Sequence, residues 1–318
     1  MRETSILSPG SINRRYDLLA YGDPNVDYVF ETARVPLADE KVLGRNLGIF
    51  AGGTVANVAC AASRLGARVV SYGRVGNDID GQLLLRDNES FGVANDYLTI
   101  AAHRTAAAMI MVEASGEKAL VYAPMPSDPL AEDRLGQALA ESRIAYAMPY
   151  DIDEFRRVSA LARKYGTDVA IDIEAAVAPT VERLDALLTC SDIVFMNEGG
   201  FRATCERPIT PENIRPLLER GPRIVVVTMG AKGAIAVGRD CVASQDAFIA
   251  QVVDATGAGD CFNGAFLAAA LADRPTADCL SFASAAASLA VSAMGARSAL
   301  PDVGEVSRLL DTARNCRH

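Results

Sequence analysis

The heptapeptide Asp254-Ala-Thr-Gly-Ala-Gly-Asp260 leads into Cys261-Phe-Asn-Gly-Ala-Phe-Leu-Ala-Ala-Ala-Leu271, whose apolar residues recur at helical spacing. A glycine-rich turn that opens a helix leaves its first amides without intrahelical partners. Here those are the amides of Gly257, Ala258 and Gly259, and the positive end of the helix dipole helps them converge on an anion. Asp260 then lies in the first turn, beside that anion hole. A carboxylate weakens static anion binding, but it can take a proton from a hydroxyl attacking a phosphoryl group. The plainer alternative is a tight turn followed by an Asp that the dipole favours. Residues 250–253, just upstream, read as a short strand.

Other segments suit a ligand. In Ala51-Gly-Gly-Thr-Val-Ala-Asn57, Gly52 and Gly53 allow close backbone approach, and Asn57 lies one turn into the next helix with both donor and acceptor groups. Asn25 and Asp27 follow the first strand at comparable depth, and amide and carboxylate groups bind adjacent hydroxyls well. Each also reads as ordinary turn chemistry when taken singly. Thr228-Met-Gly-Ala-Lys-Gly233 is a glycine-rich loop at a strand end, placed to flank a nucleotide, and Asn197 is likewise at a strand end. None of the four lysines sits in a Gly-Lys-Ser/Thr phosphate loop, and no Gly-x-Gly-x-x-Gly follows the first strand, which weakens a dehydrogenase reading.

Composition narrows the field. The net charge of −9 comes without any basic run, so nucleic acid and anionic membranes are poor partners. Seven scattered cysteines form no C-x-x-C pair, which suits a reducing cytoplasm. Two histidines disfavour a His-based metal site or a Ser-His-Asp triad. The start of the chain has no apolar core suited to a signal peptide, and the Ala- and Ser-rich stretch 279–293 reads as a buried helix rather than a membrane span.

These candidates must be positioned by an alternation of strands and helices. Strands are expected at 17–22, 68–73, 144–147, 168–173, 192–196 and 223–228, with helices at 53–65 and 79–91. Alternation of this kind implies an α/β fold with a mainly parallel sheet covered on both faces, binding ligands beyond the carboxyl ends of its strands. Residues 27–50 and 105–122 break the pattern as strand-like stretches, the second with a hairpin turn at 114–117. Together they read either as a small β-sheet lid or as an edge extension of the main sheet. Residues 1–15 read as a flexible tail and 16–318 as one domain.

In combination the segments resemble the pfkB family of carbohydrate kinases, with its three-layer α/β/α ribokinase-like fold and β-lid. The resemblance runs from about residue 16 to 301. It is carried by Gly22-Asp-Pro-Asn-Val-Asp27, by Gly52-Gly53, Asn57, Gly76-Asn-Asp78 and Gly81, by residues 228–233, by residues 254–260 with Gly264, and by Gly295-Ala-Arg-Ser-Ala-Leu-Pro301. It implies an ATP- and Mg²⁺-dependent phosphotransferase in which Asp260 is the base and Gly257, Ala258 and Gly259 form the anion hole. Asn25, Asp27, Gly52, Gly53 and Asn57 would hold a sugar or sugar-like substrate. Asn197, Thr228, Gly230 and Gly233 would line the nucleotide site. Some members also bind a monovalent cation, and Asp254 and Thr256 match its side-chain ligands for K⁺. Lids in this family often pair between subunits, so a homodimer through the lid is expected.

Four positions depart from the family pattern. The N-x-x-E motif reads Asn197-Glu-Gly-Gly200, so its glutamate is missing and the Mg²⁺ arrangement is open. Ala255 and Ala299 each lack a hydroxyl common at that position, the second at the cation site. Tyr150 stands near where ribokinases offer a glutamate to the sugar, which disfavours ribose and suits an aromatic or less polar substrate. A nucleoside kinase and a non-catalytic sugar or nucleoside sensor therefore stand as alternatives.

Overall fold

Continuous apolar runs and amphipathic stretches alternate along the computed structural model, which describes residues 6–8, 13–113, 115 and 117–315. The chain begins with β1 (Tyr16–Tyr21), β2 (Asn25–Thr32), β3 (Gly44–Gly52), α1 (Thr54–Arg64), β4 (Val69–Gly76) and α2 (Ile79–Ser90). It continues through β5 (Ala94–Ala101), β6 (Ala106–Glu113), β7 (Lys118–Ala123), α3 (Glu132–Ala140), β8 (Ser142–Ala147) and α4 (Ile152–Tyr165). Then come β9 (Asp168–Ile173), α5 (Val181–Thr189), β10 (Ile193–Asn197), α6 (Glu198–Thr204), α7 (Pro211–Leu218) and β11 (Ile224–Thr228). The last elements are β12 (Ala234–Gly238), β13 (Val242–Gln245), α8 (Ala258–Leu271), α9 (Thr276–Ala290) and α10 (Val303–Asn315).

The main sheet runs β13-β12-β11-β10-β9-β8-β1-β4-β5. From β11 to β5 every neighbouring pair is parallel, and β12 and β13 add an antiparallel edge. Strand alternation explains the three layers. Leu18, Ile144, Phe195 and Val226 point into one core with α1, α8 and α9, while Leu19, Ala145, Val194 and Val225 point into the other with α3, α4 and α7. Local signals end the helices where expected. Asp151 caps α4 by accepting from the amides of Asp153 and Glu154, and Gly166 closes it in the left-handed region.

The second sheet, β3-β2-β6-β7, is separate from the first. That removes the edge-extension alternative and leaves the lid. Its register places Asn25 opposite Gly52 and Ala106, at the hinge end nearest the main body. Along β6 and β7, Ala108, Ile110, Leu120 and Tyr122 face a large cavity.

Two expectations need correction. Residues 250–253 form no strand: β13 stops at Gln245, no strand among the described residues pairs with them, and the amides of Val253 and Asp254 both donate to the Val291 carbonyl. Within the expected tail, Ile6 and Leu7 are buried and Ser8 is held by Asp168 at 2.8 and 2.7 Å. The rest of that tail up to residue 12, and residues 114 and 116 of the hairpin turn, lie outside the described residues. No helix among the described residues is long and apolar enough to cross a membrane.

Candidate active site

A cavity of 1190 Å³ opens between the carboxyl ends of the parallel strands and the small sheet. The ends of β1, β8, β9, β10 and β11 supply its floor, which is where ligands bind on open α/β sheets. The glycine-rich N-termini of α1 and α8 supply one wall, and β6 and β7 the opposite one.

α1 and α8 meet closely. Gly264 lies against α1, where a Cβ would stand 2.7 Å from the Val58 carbonyl and 2.8 Å from the Ala61 methyl. This contact brings together the first turns of the two helices. Asn57 Nδ2 donates to Asp260 Oδ2 at 2.7 Å. Asn57 Oδ1 in turn accepts from Arg297 Nε at 2.8 Å. Arg297 is buried, donates Nη2 to the Gly52 carbonyl at 2.8 Å and pairs through Nη1 with Asp87. Asp87, Arg297, Asn57 and Asp260 therefore form one line from α2 to the head of α8. Asn57, expected as a substrate ligand, spends both ends of its side chain on positioning.

Asp260 faces the cavity but is otherwise surrounded by protein. Burial pushes its carboxyl up to about 7; the Asn57 hydrogen bond and the Arg297 charge oppose the shift, and the charges of Glu174 and Asp27 add to it. That places its proton affinity where a general base works best near neutrality.

The turn before α8 is built on Gly257 at φ 76°, in the left-handed region, where a Cβ would sit 2.5 Å from the Ala296 methyl. The expected set of three amides is reduced by one. Ala258 donates its amide to the Ala255 carbonyl at 3.2 Å, whereas no backbone carbonyl among the described residues takes the amides of Gly257 and Gly259. Gly259 faces open space.

On the substrate side, Asn25, Asp27, Gly53 and Asn57 line the cavity. Asn25 Nδ2 donates to Asp27 Oδ1 at 2.7 Å, and burial raises the Asp27 carboxyl. Gly52 does not reach the cavity. Its role is space, because a Cβ there would fall 2.3 Å from Asp27 Oδ2. On the opposite side Asn197, Thr228 and Gly230 line the cavity, and Gly233 does not. Gly233 closes the turn, its carbonyl accepting the Met229 amide at 2.8 Å.

Asn197 caps α6 by accepting the Gly200 amide at 2.7 Å. A Cβ at Gly200 would stand 2.0 Å from the Ile173 carbonyl, so α6 crosses the end of β9 too closely for any side chain at this position. Glu198 is turned to the rim, held by Arg202 at 2.8 Å and Lys232 at 3.3 Å.

Asp254 and Thr256, expected around a free monovalent cation, meet a lysine instead. Lys118 Nζ of β7 lies 3.1 Å from Asp254 Oδ1 and 2.5 Å from Thr256 Oγ1. Asp254 also takes the Thr256 amide on Oδ1 and the Gly295 amide on Oδ2, each at 3.0 Å.

Several cavity residues escaped the sequence reading. Asp172 is the penultimate residue of β9 and Glu174 the first beyond it, as Asn197 is the last of β10, so the strand-end rule that selected Asn197 also reaches them. Asp172 Oδ2 accepts from Asn263 at 2.9 Å, and its buried Oδ1 has no hydrogen-bond partner among the described residues. Burial, with the charges of Glu174 and Asp260, pushes Asp172 up to about 7. Glu174 is half-buried and unpaired among the described residues, and burial raises its carboxyl too. Arg297 lay inside a recognised loop, but nothing in sequence showed that it turns inward.

Residues 16–303 match the pfkB family carbohydrate kinases. The chain belongs to that family. As such this kinase is a phosphotransferase with an alcohol acceptor, which sets aside the dehydrogenase and sensor readings. It is 28% identical over 311 residues to a ribokinase of Haemophilus influenzae, covering 94% of this chain and all of the relative. It is also 28% identical to a nucleoside kinase of Methanothermobacter thermautotrophicus, covering 91% and 94% of the two chains. The solved structure of Arabidopsis thaliana ribokinase complexed with ribose and ATP superposes with a TM-score of 0.82 at 28% identity, covering 93% of this chain and 98% of that one.

Proposed function

We propose that this kinase transfers the γ-phosphoryl group of ATP to a hydroxyl of a sugar or nucleoside, with Asp260 as the general base. The supporting observation is the pairing of a carboxyl poised at about 7 with the unengaged amides of Gly257 and Gly259 at the head of one helix. Asp27 and Asn25 hold the acceptor's hydroxyls, while Asn197, Thr228 and Gly230 flank the nucleotide. The acceptor O–H gives its proton to Asp260 as its oxygen bonds to the γ-phosphorus. The bond from that phosphorus to the bridging oxygen breaks, ADP leaves with the electron pair, and the proton passes to solvent. The Gly257 and Gly259 amides stabilise the charge on the transferring group, and such a donor is worth roughly 3 kcal/mol.

Mg²⁺ bound with ATP would neutralise phosphate charge. Such ions need only one or two carboxylates beside phosphates and water. Position 200 offers none, and Glu174, unpaired among the described residues, is a carboxylate facing the same cavity.

The lid wall favours a nucleoside over a bare pentose. Ile110, Leu120 and Tyr122, with Tyr150 opposite, present apolar and aromatic surface to the acceptor. The outer face of the lid bears Ile49, Met109 and Val121, about half exposed, in a row across the four strands with Tyr28 between the first two. Such a row supports pairing of two lids in a homodimer. Light scattering at micromolar concentration should report twice the chain mass, and a monomer would refute that pairing.

The test of function is ADP release across a panel of pentoses, hexoses, sugar acids and nucleosides. Turnover with at least one, abolished in Asp260→Asn, is expected. Full activity in Asp260→Asn would overturn the assignment of the base.

A further inference from the structure

Residues 118, 120 and 122 share one face of β7. Leu120 and Tyr122 look into the cavity, and Lys118 continues the row to the turn that precedes α8. Its ammonium bridges the lid to the segment carrying the anion-binding amides, in contact with both Asp254 and Thr256. The Asp254 carboxylate is fully engaged. Burial alone would raise it, but the Gly295 and Thr256 amides, the Thr256 hydroxyl and Lys118 override that and hold it down at about 2.

This donor set does not fit a free monovalent cation. One carboxylate oxygen is committed to the Gly295 amide, the other to Thr256 and Lys118, and Ala299 brings no hydroxyl. An ammonium group is a compact point charge with several donors, suited to a carboxylate and a hydroxyl at once.

We propose that Lys118 is the built-in cation of the phosphate turn: it replaces a free monovalent ion between Asp254 and Thr256 and ties closure of the lid to the shape of the turn. This rests on the kinase reading above. Lys118 is a positioning residue, because it acts through Asp254 and Thr256 on the Gly257 and Gly259 amides. Its side chain is 44% exposed, so its effect lies in the geometry of the turn and little in global stability.

The test compares the unmodified kinase with Lys118→Met and Lys118→Arg at equal ionic strength in potassium, ammonium or tetramethylammonium chloride. Mg²⁺-ATP affinity by calorimetry and thermal unfolding are read first, then turnover. The unmodified kinase and Lys118→Arg should bind ATP within about twofold in all three salts, with no potassium-specific thermal shift. Lys118→Met should lose about 10- to 100-fold in tetramethylammonium and regain it in potassium or ammonium. Marked potassium activation of the unmodified kinase would overturn the proposal, even if the variant fails to fold. So would a Lys118→Met variant that matches the unmodified kinase in every salt. Calorimetry and melting need no acceptor, so a kinase that binds ATP but phosphorylates nothing fails on the proposed function without deciding the role of Lys118.

Discussion

Asn57 and Asp260 stand 203 positions apart in sequence and 2.7 Å apart in space, the first donating to the second. The bond orients one carboxylate oxygen of the proposed base and leaves the other for the acceptor. It also restrains the proton affinity that burial raises.

Asp260→Asn removes the proton acceptor and keeps the shape. A fall in kcat of about 10²–10⁴ is expected, with Mg²⁺-ATP affinity within a few-fold. Single-turnover kinetics beside calorimetry would separate the two effects.

The carboxyl of Asp260 also fixes two pH responses. In the unmodified kinase kcat/KM should rise about tenfold per pH unit and level off above about 7. The stability term runs the other way. A free carboxyl titrates near 3.9, and here the folded value is raised, so the folded state holds the proton more tightly. The stabilising contribution is complete below about 4 and is lost as pH climbs through about 7. Asp260→Asn should therefore gain about 1–3 kcal/mol more stability, relative to the unmodified protein, at pH 8 than at pH 5. Denaturant melts at the two pH values would show it.

Arg297→Met leaves Asp87, one quarter exposed, without its partner and strips the buried Asn57 Oδ1 and the Gly52 carbonyl of their donor. A loss of about 1–3 kcal/mol in stability is expected, with a further fall in kcat. Arg297→Lys keeps the charge and loses the three-way fork to Asn57, Asp87 and Gly52. It should recover most stability and little activity, which chemical denaturation and initial rates can resolve.

Gly200→Glu restores the family motif on paper. In space its Cβ would collide with the Ile173 carbonyl, so the variant should lose stability and gain no Mg²⁺ affinity. Glu174→Gln should instead raise the Mg²⁺ concentration needed for half-maximal rate, by about tenfold. A Mg²⁺ titration of both variants decides between positions 200 and 174.

The sequence disclosed the site where chemistry depends on local pattern. Asp260 at the head of α8 follows from glycines, helix spacing and the dipole. The parallel sheet follows from the apolar runs at 168–173, 192–196 and 223–228. What stayed hidden depends on long-range contact. Residues 250–253 have strand-like composition, yet no strand among the described residues pairs with them. Asn57 lines the cavity, but nothing local shows that Arg297 arrives from 240 positions away to hold it. Lys118 is an ordinary edge lysine in sequence, and only the folding of the lid over the turn brings it to Asp254. Glu174 could have been chosen by the same reasoning that chose Asn197.

Gly264 sets the spacing of the two helices that deliver Asn57 and Asp260, so alignment of the reacting groups is stored in a backbone-to-backbone crossing inside the core. The lid and the strand-end loops hold the acceptor but take no part in that crossing. Changes of specificity can therefore accumulate at Tyr150 or along β7 while the transfer step keeps its alignment, whereas a single methyl added at 264 would pry the two apart without touching a ligand.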